Sequence, residues 1–188
     1  MIKTWEELEQ VCKNCDKCQL MKTRNNVVFG RGNRNSKVLL VGEGPGQQED
    51  MQGKPFVGRA GNLLDTMLCA MEISQDNIYI ANIVKCRPPE NRVPTKQEAE
   101  ICIKYLRNQV YLQSPKIIVC LGNTAAKHII SEDVQITKIR GNWLIKKDVL
   151  IMPTYHPAAL LRDGTKKLPF WDDFKKVKLK MQELNILC

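Results

Sequence analysis

The sequence predicts an α/β protein: a three-layer sandwich in which a four-stranded, mainly parallel sheet is flanked by helices. Three observations predict it. Short apolar runs rich in Val, Ile and Leu recur along the chain, as strands buried on both faces require. Segments with apolar residues at helical spacing alternate with them. Gly-, Pro- and Asn-containing stretches separate the two kinds of segment. The chain has 188 residues, of which 43% are hydrophobic. That is enough for one core and suits one domain, so residues 1–188 are expected to form a single domain.

Trp5 to about Cys15 reads as a short amphipathic helix, with Thr4 placed to cap it and Glu7 three residues on, the spacing of a capping box. Residues 22–36 are rich in Lys, Arg, Asn and Gly and read as loop, with a short strand at Val27-Val28-Phe29. Lys37-Val38-Leu39-Leu40-Val41-Gly42 is the first core strand, and Glu43-Gly44-Pro45-Gly46 a turn behind it. Gly61 to Met71 carries Leu63, Leu64, Met67, Leu68 and Met71 on one side of a helix. Ile78 to Val84 is the second core strand. Its prolines make Pro88 to Pro94 a loop. Thr95 and Glu98 then open a long helix to about Gln113. Lys116 to Leu121 is the third core strand and Asn123 to Ile130 a short helix. Trp143 to Met152 holds a hairpin and the fourth core strand, and Leu168 to Leu187 a closing helix with Lys-rich and apolar faces.

Lys and Arg number 29 against 20 Asp and Glu, a net charge of +9. A basic globular domain gains from counterion release on a polyanion, so nucleic acid is a candidate partner; a solvated Lys-rich surface fits the charge equally well. Met1 to Glu7 contains no apolar export segment. No apolar run approaches the about 18 residues of a spanning helix. No membrane association is expected. The expected location is the cytoplasm, where the 8 cysteines should not form structural disulfides.

Cys12, Cys15 and Cys18 form a C-x-x-C-x-x-C run; Cys86 follows the second core strand and Cys102 lies in the long helix. Two of the first three, joined by the two distant ones, would make a four-thiolate site. The wide separation of Cys86 and Cys102 favours an iron–sulfur cluster over zinc, yet spacing leaves both metals open. It also leaves open which two of the first three bind. Cys69, Cys120 and Cys188 stand in apolar or terminal contexts and read as buried or idle thiols.

In parallel α/β sheets, sites form beyond the carboxyl ends of the strands. Glu43, Asn82 with Cys86, Gly122 with Asn123, and His156 stand there. Gly42 to Asp50 is glycine-rich, which lets backbone approach a ligand. It matches neither the P-loop nor the dinucleotide fingerprint, and a tight turn with solvated acids is the competing reading. Asn82 interrupts an apolar strand, where Asn is disfavoured. Its amide offers a base both a donor and an acceptor; a structural hydrogen bond is the alternative. Of the two histidines, His128 reads as a structural helix residue. His156, at a strand end before Pro157, is the catalytic candidate.

Together these segments resemble the family 4 uracil-DNA glycosylases, the iron–sulfur type. The resemblance is carried by Cys15–Cys18 with Leu20, Val28-Phe29-Gly30, Gly42–Asp50, Gly53–Gly61, Asn82-Ile83-Val84-Lys85-Cys86-Arg87-Pro88-Pro89, Asn91-Arg92, Cys102, Lys138-Ile139-Arg140-Gly141 and His156-Pro157, in order and over most of the chain. It implies a [4Fe–4S] cluster on Cys15, Cys18, Cys86 and Cys102, with Cys12 outside. It implies a base-excision-repair enzyme that flips uracil out of DNA and hydrolyses it off, leaving an abasic site. Glu43 then corresponds to the acid at the glycosidic bond. Gly44 and Pro45 line the uracil site, Phe56 stacks on the base, Asn82 reads it and His156 faces its O2. Glu49 matches a further active-site acid.

For the DNA itself, Arg140 and Arg162 would hold phosphates, and Leu160 or Leu161 would fill the gap left by the flipped base. No lysine is placed by motif as a Schiff-base nucleophile, so a monofunctional glycosylase is expected. The expected partner is uracil-containing DNA and the expected state a monomer. One alternative is a non-catalytic DNA-binding module of the same fold, which would not need Glu43, Asn82 and His156. Another is a zinc-stapled structural protein.

Overall fold

The apolar runs become the centre of one mixed sheet. In a computed structural model, which describes residues 2–187, six strands form: β1 (Arg31–Gly32), β2 (Val38–Gly42), β3 (Tyr79–Asn82), β4 (Ile117–Leu121), β5 (Leu144–Lys146) and β6 (Val149–Thr154). Their order is β1-β3-β2-β4-β6-β5. The pairs β3–β2, β2–β4 and β4–β6 are parallel, and β1 and β5 add antiparallel edges. The four expected core strands are thus the middle of a six-stranded sheet. Every residue of β2 and β4 is buried, which is why each reads as an unbroken apolar run.

Val27-Val28-Phe29 is not a strand. The Val28 N–H donates to Lys85 O at 2.7 Å and Phe29 O accepts from the Gln109 side chain at 2.9 Å, so single bonds and not a ladder satisfy this backbone. Pairing with β3 starts only at Arg31.

Eight α-helices accompany the sheet among the described residues: α1 (Trp5–Lys13), α2 (Gln47–Gln52), α3 (Arg59–Ala70), α4 (Lys96–Gln113), α5 (Asn123–Ile129), α6 (Ile136–Ile139), α7 (Pro157–Arg162) and α8 (Lys167–Glu183). The α4 start is the expected capping box: Thr95 Oγ1 accepts the Glu98 N–H at 3.2 Å, and Glu98 Oε2 accepts the Thr95 N–H at 2.8 Å. At α1, Thr4 caps the Glu7 N–H at 3.2 Å, but the Glu7 carboxylate turns to the Lys3 N–H and closes no box.

Alternate residues of the central strands feed two cores, as a period of two demands. Leu39, Val41 and Ala81 join Leu8, Ala99 and Leu106 on one face; Val38, Leu40 and Ile80 join Leu64, Leu68 and Phe174 on the other. This is the three-layer α/β arrangement. Among the described residues the cysteines are all free, Cys120 buried and Cys69 exposed; Cys188 lies outside the described residues. No helix among these residues is long and apolar enough to cross a membrane.

Candidate active site

The carboxyl ends of the four parallel strands open into one cleft of about 750 Å³, whose walls include Glu43, Gly44, Pro45, Phe56, Asn82 and His156. Residues that the sequence scatters over more than half the chain are therefore brought together.

Gly42 and Asn82 are register partners at the ends of β2 and β3. A Cβ on Gly42 would stand 2.4 Å from Asn82 Oδ1 and 2.7 Å from Phe56 Cζ, so only glycine lets the amide and the ring share this corner. Asn82 is 1% exposed, and among the described residues its Oδ1 has no hydrogen-bond partner. A buried amide oxygen left unpaired is costly, and this one lies on the wall of a cleft, where a ligand N–H can satisfy it. The ladder continues past the strands: Ile83 N–H donates to Gly42 O at 3.0 Å and Val84 N–H to Glu43 O at 3.1 Å. These bonds hold Glu43 in place at the cleft wall. One carboxylate oxygen of Glu43 accepts the hydroxyl of Thr124, on α5.

Phe56 is buried with φ at 55°, a left-handed conformation unusual for an aromatic residue. Its ring centroid lies 5.6 Å from that of His156, with 30° between the planes. His156 ends the segment after β6 and caps α7: its Nδ1 accepts the Ala158 N–H at 3.1 Å. Nδ1 is therefore unprotonated and the imidazole proton sits on Nε2. Burial, assisted by the charge of Arg162, pushes the His156 pKa down to about 4. The ring is thus a neutral Nε2–H donor at physiological pH.

A second, small cavity is lined by residues of α1, of the segment after it, of the segment after β3, and of α4. Cys12, Cys15, Cys18, Cys86 and Cys102 line it together with Arg24, Lys85 and Tyr105. Arg24 Nη1 donates to Cys15 O at 2.7 Å and to Cys86 Sγ at 3.3 Å, and the Lys85 N–H donates to Cys102 Sγ at 3.2 Å. The Lys85 ammonium is fully buried, and among the described residues no carboxylate pairs with it. A buried cation with only neutral acceptors needs an anion nearby. Burial pushes the Cys12 and Cys102 thiols up to about 12, so a thiolate here requires a metal to hold it deprotonated. Four thiolates, two N–H···S donors and a buried ammonium are the donor set an anionic iron–thiolate centre would need. Cys12, 1% exposed, lines the same cavity.

A model of the Uracil DNA glycosylase superfamily matches residues 29–176. The chain is 44% identical over 185 residues to the Type-4 uracil-DNA glycosylase of Thermotoga maritima, spanning 93% of this chain and 95% of that one. The chain belongs to the type-4 uracil-DNA glycosylases. It is 41% identical over 182 residues to the type-4 uracil-DNA glycosylase of Sulfurisphaera tokodaii, covering 92% of this chain and 83% of that protein. With that of Archaeoglobus fulgidus the identity is 40% over 185 residues, 92% of each chain.

Within this type-4 uracil-DNA glycosylase, Glu49 and Arg162 line the cleft as expected, whereas Arg140 and Leu160 are engaged inside the fold. Glu49 lies on the cleft wall, but its carboxylate is engaged by backbone. Oε1 accepts the N–H of Val57 at 3.0 Å and of Gly58 at 2.7 Å, and Oε2 that of Gly46 at 3.1 Å. It ties the glycine-rich turn to the Phe56 loop. Asp50 is likewise no solvated acid: it is fully buried and accepts the N–H groups of Asn25 at 3.0 Å and Asn26 at 3.3 Å.

Arg140 turns inward. Its Nε donates to Asp173 Oδ2 at 2.9 Å, and its Nη2 to the other carboxylate oxygen and to Pro169 O. It anchors the α6 end to α8, so it is not a free phosphate ligand. Leu160 is 1% exposed and belongs to the core that includes Leu64 and Leu68 of α3, whereas Leu161 is 43% exposed. Arg162 is exposed at the cleft rim. Thr124, Lys127 and Val93 also line the cleft without having been singled out from the sequence, and Arg92 of the Asn91-Arg92 motif, which was given no role, lines it too. For Thr124 the available signal was its place one residue beyond Asn123, behind a strand end.

Proposed function

We propose that this chain removes uracil from DNA by hydrolysing the N-glycosidic bond, leaving an abasic site for base excision repair. One observation carries the assignment of the cleft: the buried, unpartnered Oδ1 of Asn82 beside Phe56 and a neutral His156.

The target base leaves the stack, at a cost on the order of a few kcal/mol, and enters the strand-end cleft. Phe56 stacks on it. Asn82 Oδ1 accepts from N3–H and its NH₂ donates to O4. Cytosine presents an acceptor and a donor at the same two places, so both contacts become unpaired and the wrong base is rejected. Gly44 and Pro45 close the wall. As the bond breaks, negative charge grows on the base and positive charge on the sugar. The Nε2–H of His156 donates to uracil O2, a preorganised donor where charge develops. Glu43, held by Thr124, faces the cationic sugar and accepts from the attacking water. Water is the nucleophile, so the enzyme is monofunctional. Leu161 fills the gap in the duplex and Arg162 holds backbone phosphate. Glu49 shapes both walls of the pocket.

Cys15, Cys18, Cys86 and Cys102 would hold a [4Fe–4S] cluster. Bound there, it supplies a rigid cross-link between the N-terminal segment, the loop after β3 and α4, and the hydrolysis passes through none of its atoms. One sheet joining all of these elements supports a single catalytic domain, and the free cysteines suit the reducing cytoplasm.

A labelled oligonucleotide carrying one uracil tests this reading. Incubation with the protein should leave the strand intact until alkali cleaves it at the uracil position. An intact strand after alkali would refute excision; a strand cut before alkali would refute the monofunctional assignment.

A further inference from the structure

Lys85 lines the cysteine cavity and is bonded to Asn82, which lines the cleft. Its side chain is fully buried. Its Nζ donates to Asn82 O at 2.9 Å and to Gln109 Oε1 at 2.7 Å, while its backbone N–H reaches Cys102 Sγ at 3.2 Å. Gln109 is itself fixed, its Nε2 donating to Phe29 O at 2.9 Å. The ammonium therefore grips the carbonyl of the residue whose side chain faces the uracil cleft. The cavity that Lys85 lines also holds thiols that become anionic when they hold iron. A hydrogen bond to Asn82 O alone would not require a charge, since a neutral amide donor would serve. Burying a cation among carbonyls is strongly unfavourable unless negative charge lies close by.

We propose that Lys85 is a positioning residue that couples the cysteine-bound cluster to base recognition. The negative charge of the cluster keeps the ammonium buried at the cavity wall. The ammonium in turn fixes the carboxyl end of β3, and with it the direction of the Asn82 amide. A small displacement of such a group is enough to lower the rate many-fold. This inference rests on Asn82 being the base-reading amide.

The test replaces Lys85 with Met, similar in length but uncharged, in the iron-loaded protein. Two quantities are measured: the rate at which the visible absorbance of the cluster is lost under chelator, and kcat/KM for uracil excision. The second is measured in the wild-type and in the Asn82→Ala background. Lys85→Met should bleach about tenfold faster than wild type and lose about tenfold in kcat/KM. In the Asn82→Ala background the same change should cost less than about twofold, because residues acting through one another are not additive.

Unchanged bleaching, an unchanged kcat/KM, or a full loss persisting in the Asn82→Ala background would overturn the coupling. Should Lys85→Met yield no folded, iron-loaded protein, Gln109→Leu carries the same cycle. It removes one acceptor of the ammonium and should give a smaller loss that again vanishes with Asn82→Ala. No loss, or an additive one, would overturn the proposal. If Asn82→Ala alone excises uracil at the wild-type rate, the base-reading assignment falls and the coupling with it. If Asn82→Ala is slow while Lys85→Met matches wild type, only the coupling falls.

Discussion

His156 Nδ1 accepts the backbone N–H of Ala158 at 3.1 Å, two residues along the same helix start. That bond decides which nitrogen carries the proton, and it turns the histidine into a donor through Nε2. Removing such a donor from a developing oxyanion slows catalysis by about 10²–10³-fold, and His156→Ala should show a loss in this range in single-turnover excision. The ring should stay neutral: nitrogen NMR of His156 should show an unprotonated Nδ1 from pH 8 down to about pH 5. Titration near the ordinary value of 6.5, against the about 4 that burial imposes, would contradict the assignment.

The same shift makes stability depend on pH. The folded chain binds the His156 proton less tightly than the unfolded chain. Between 6.5 and about 4 the unfolded state therefore holds more protons, and stability rises with pH across that window. The contribution is complete above 6.5 and lost as pH falls toward about 4. Denaturant midpoints measured across this range should fall less steeply with decreasing pH in His156→Asn than in the parent.

Thr124 holds one oxygen of Glu43. Thr124→Val keeps the shape and removes the hydroxyl, so the carboxylate loses a charge-assisted hydrogen bond. Excision should slow by about tenfold at little change in melting temperature, and Thr124→Ser should restore most of it, in line with the about 1.5 kcal/mol such a bond contributes. A Val variant as fast as the parent would show that Glu43 needs no such support.

Glu49 should behave as a structural residue as well as a pocket wall. Its carboxylate accepts three backbone N–H groups, from Gly46, Val57 and Gly58. Glu49→Ala removes the acceptor of three partly buried donors, and each such bond contributes on the order of 1 kcal/mol. The melting temperature should drop clearly, together with activity. Lost activity at unchanged stability would point instead to a direct chemical role.

Leu160 and Leu161 are neighbours with opposite duties. Leu160→Ala should destabilise the protein by about 2–5 kcal/mol, as cavities in a core do. Leu161→Ala should leave stability alone and slow excision from duplex DNA more than from single strands, because only the duplex needs its gap filled. Equal effects on both substrates would remove Leu161 from that role.

The legible part of the fold was the part that is buried on both faces. β2 and β4 read as apolar runs because every residue of both is buried, and the Thr95–Glu98 box marked α4. The hairpin expected over Trp143 to Met152 is the β5–β6 pair, whereas the edge strand β1 and the short helices α2, α6 and α7 carry too few residues for periodicity to show. At the site, Glu43, Phe56, Asn82 and His156 were legible, and they do share one cleft. The reassigned residues depend on partners that spacing cannot reveal: Arg140 is held by Asp173, 33 positions on, and Glu49 by amides of a following loop. Lys85 belongs to the Asn82–Pro89 motif without a role of its own, a lysine inside the otherwise apolar Ile83-Val84-Lys85-Cys86 stretch. A lysine there is unremarkable until its burial is known.

The most direct measurement is the mass-spectrometric yield of free base from duplexes that differ only in carrying uracil, cytosine or thymine at one position. The iron-loaded wild-type protein should release one uracil per uracil-containing duplex and no cytosine or thymine, and Asn82→Ala should release uracil about a hundredfold more slowly, the scale expected for a lost transition-state contact. No free uracil from the wild-type protein, or undiminished release by Asn82→Ala, would contradict the central claim that this cleft reads and excises uracil.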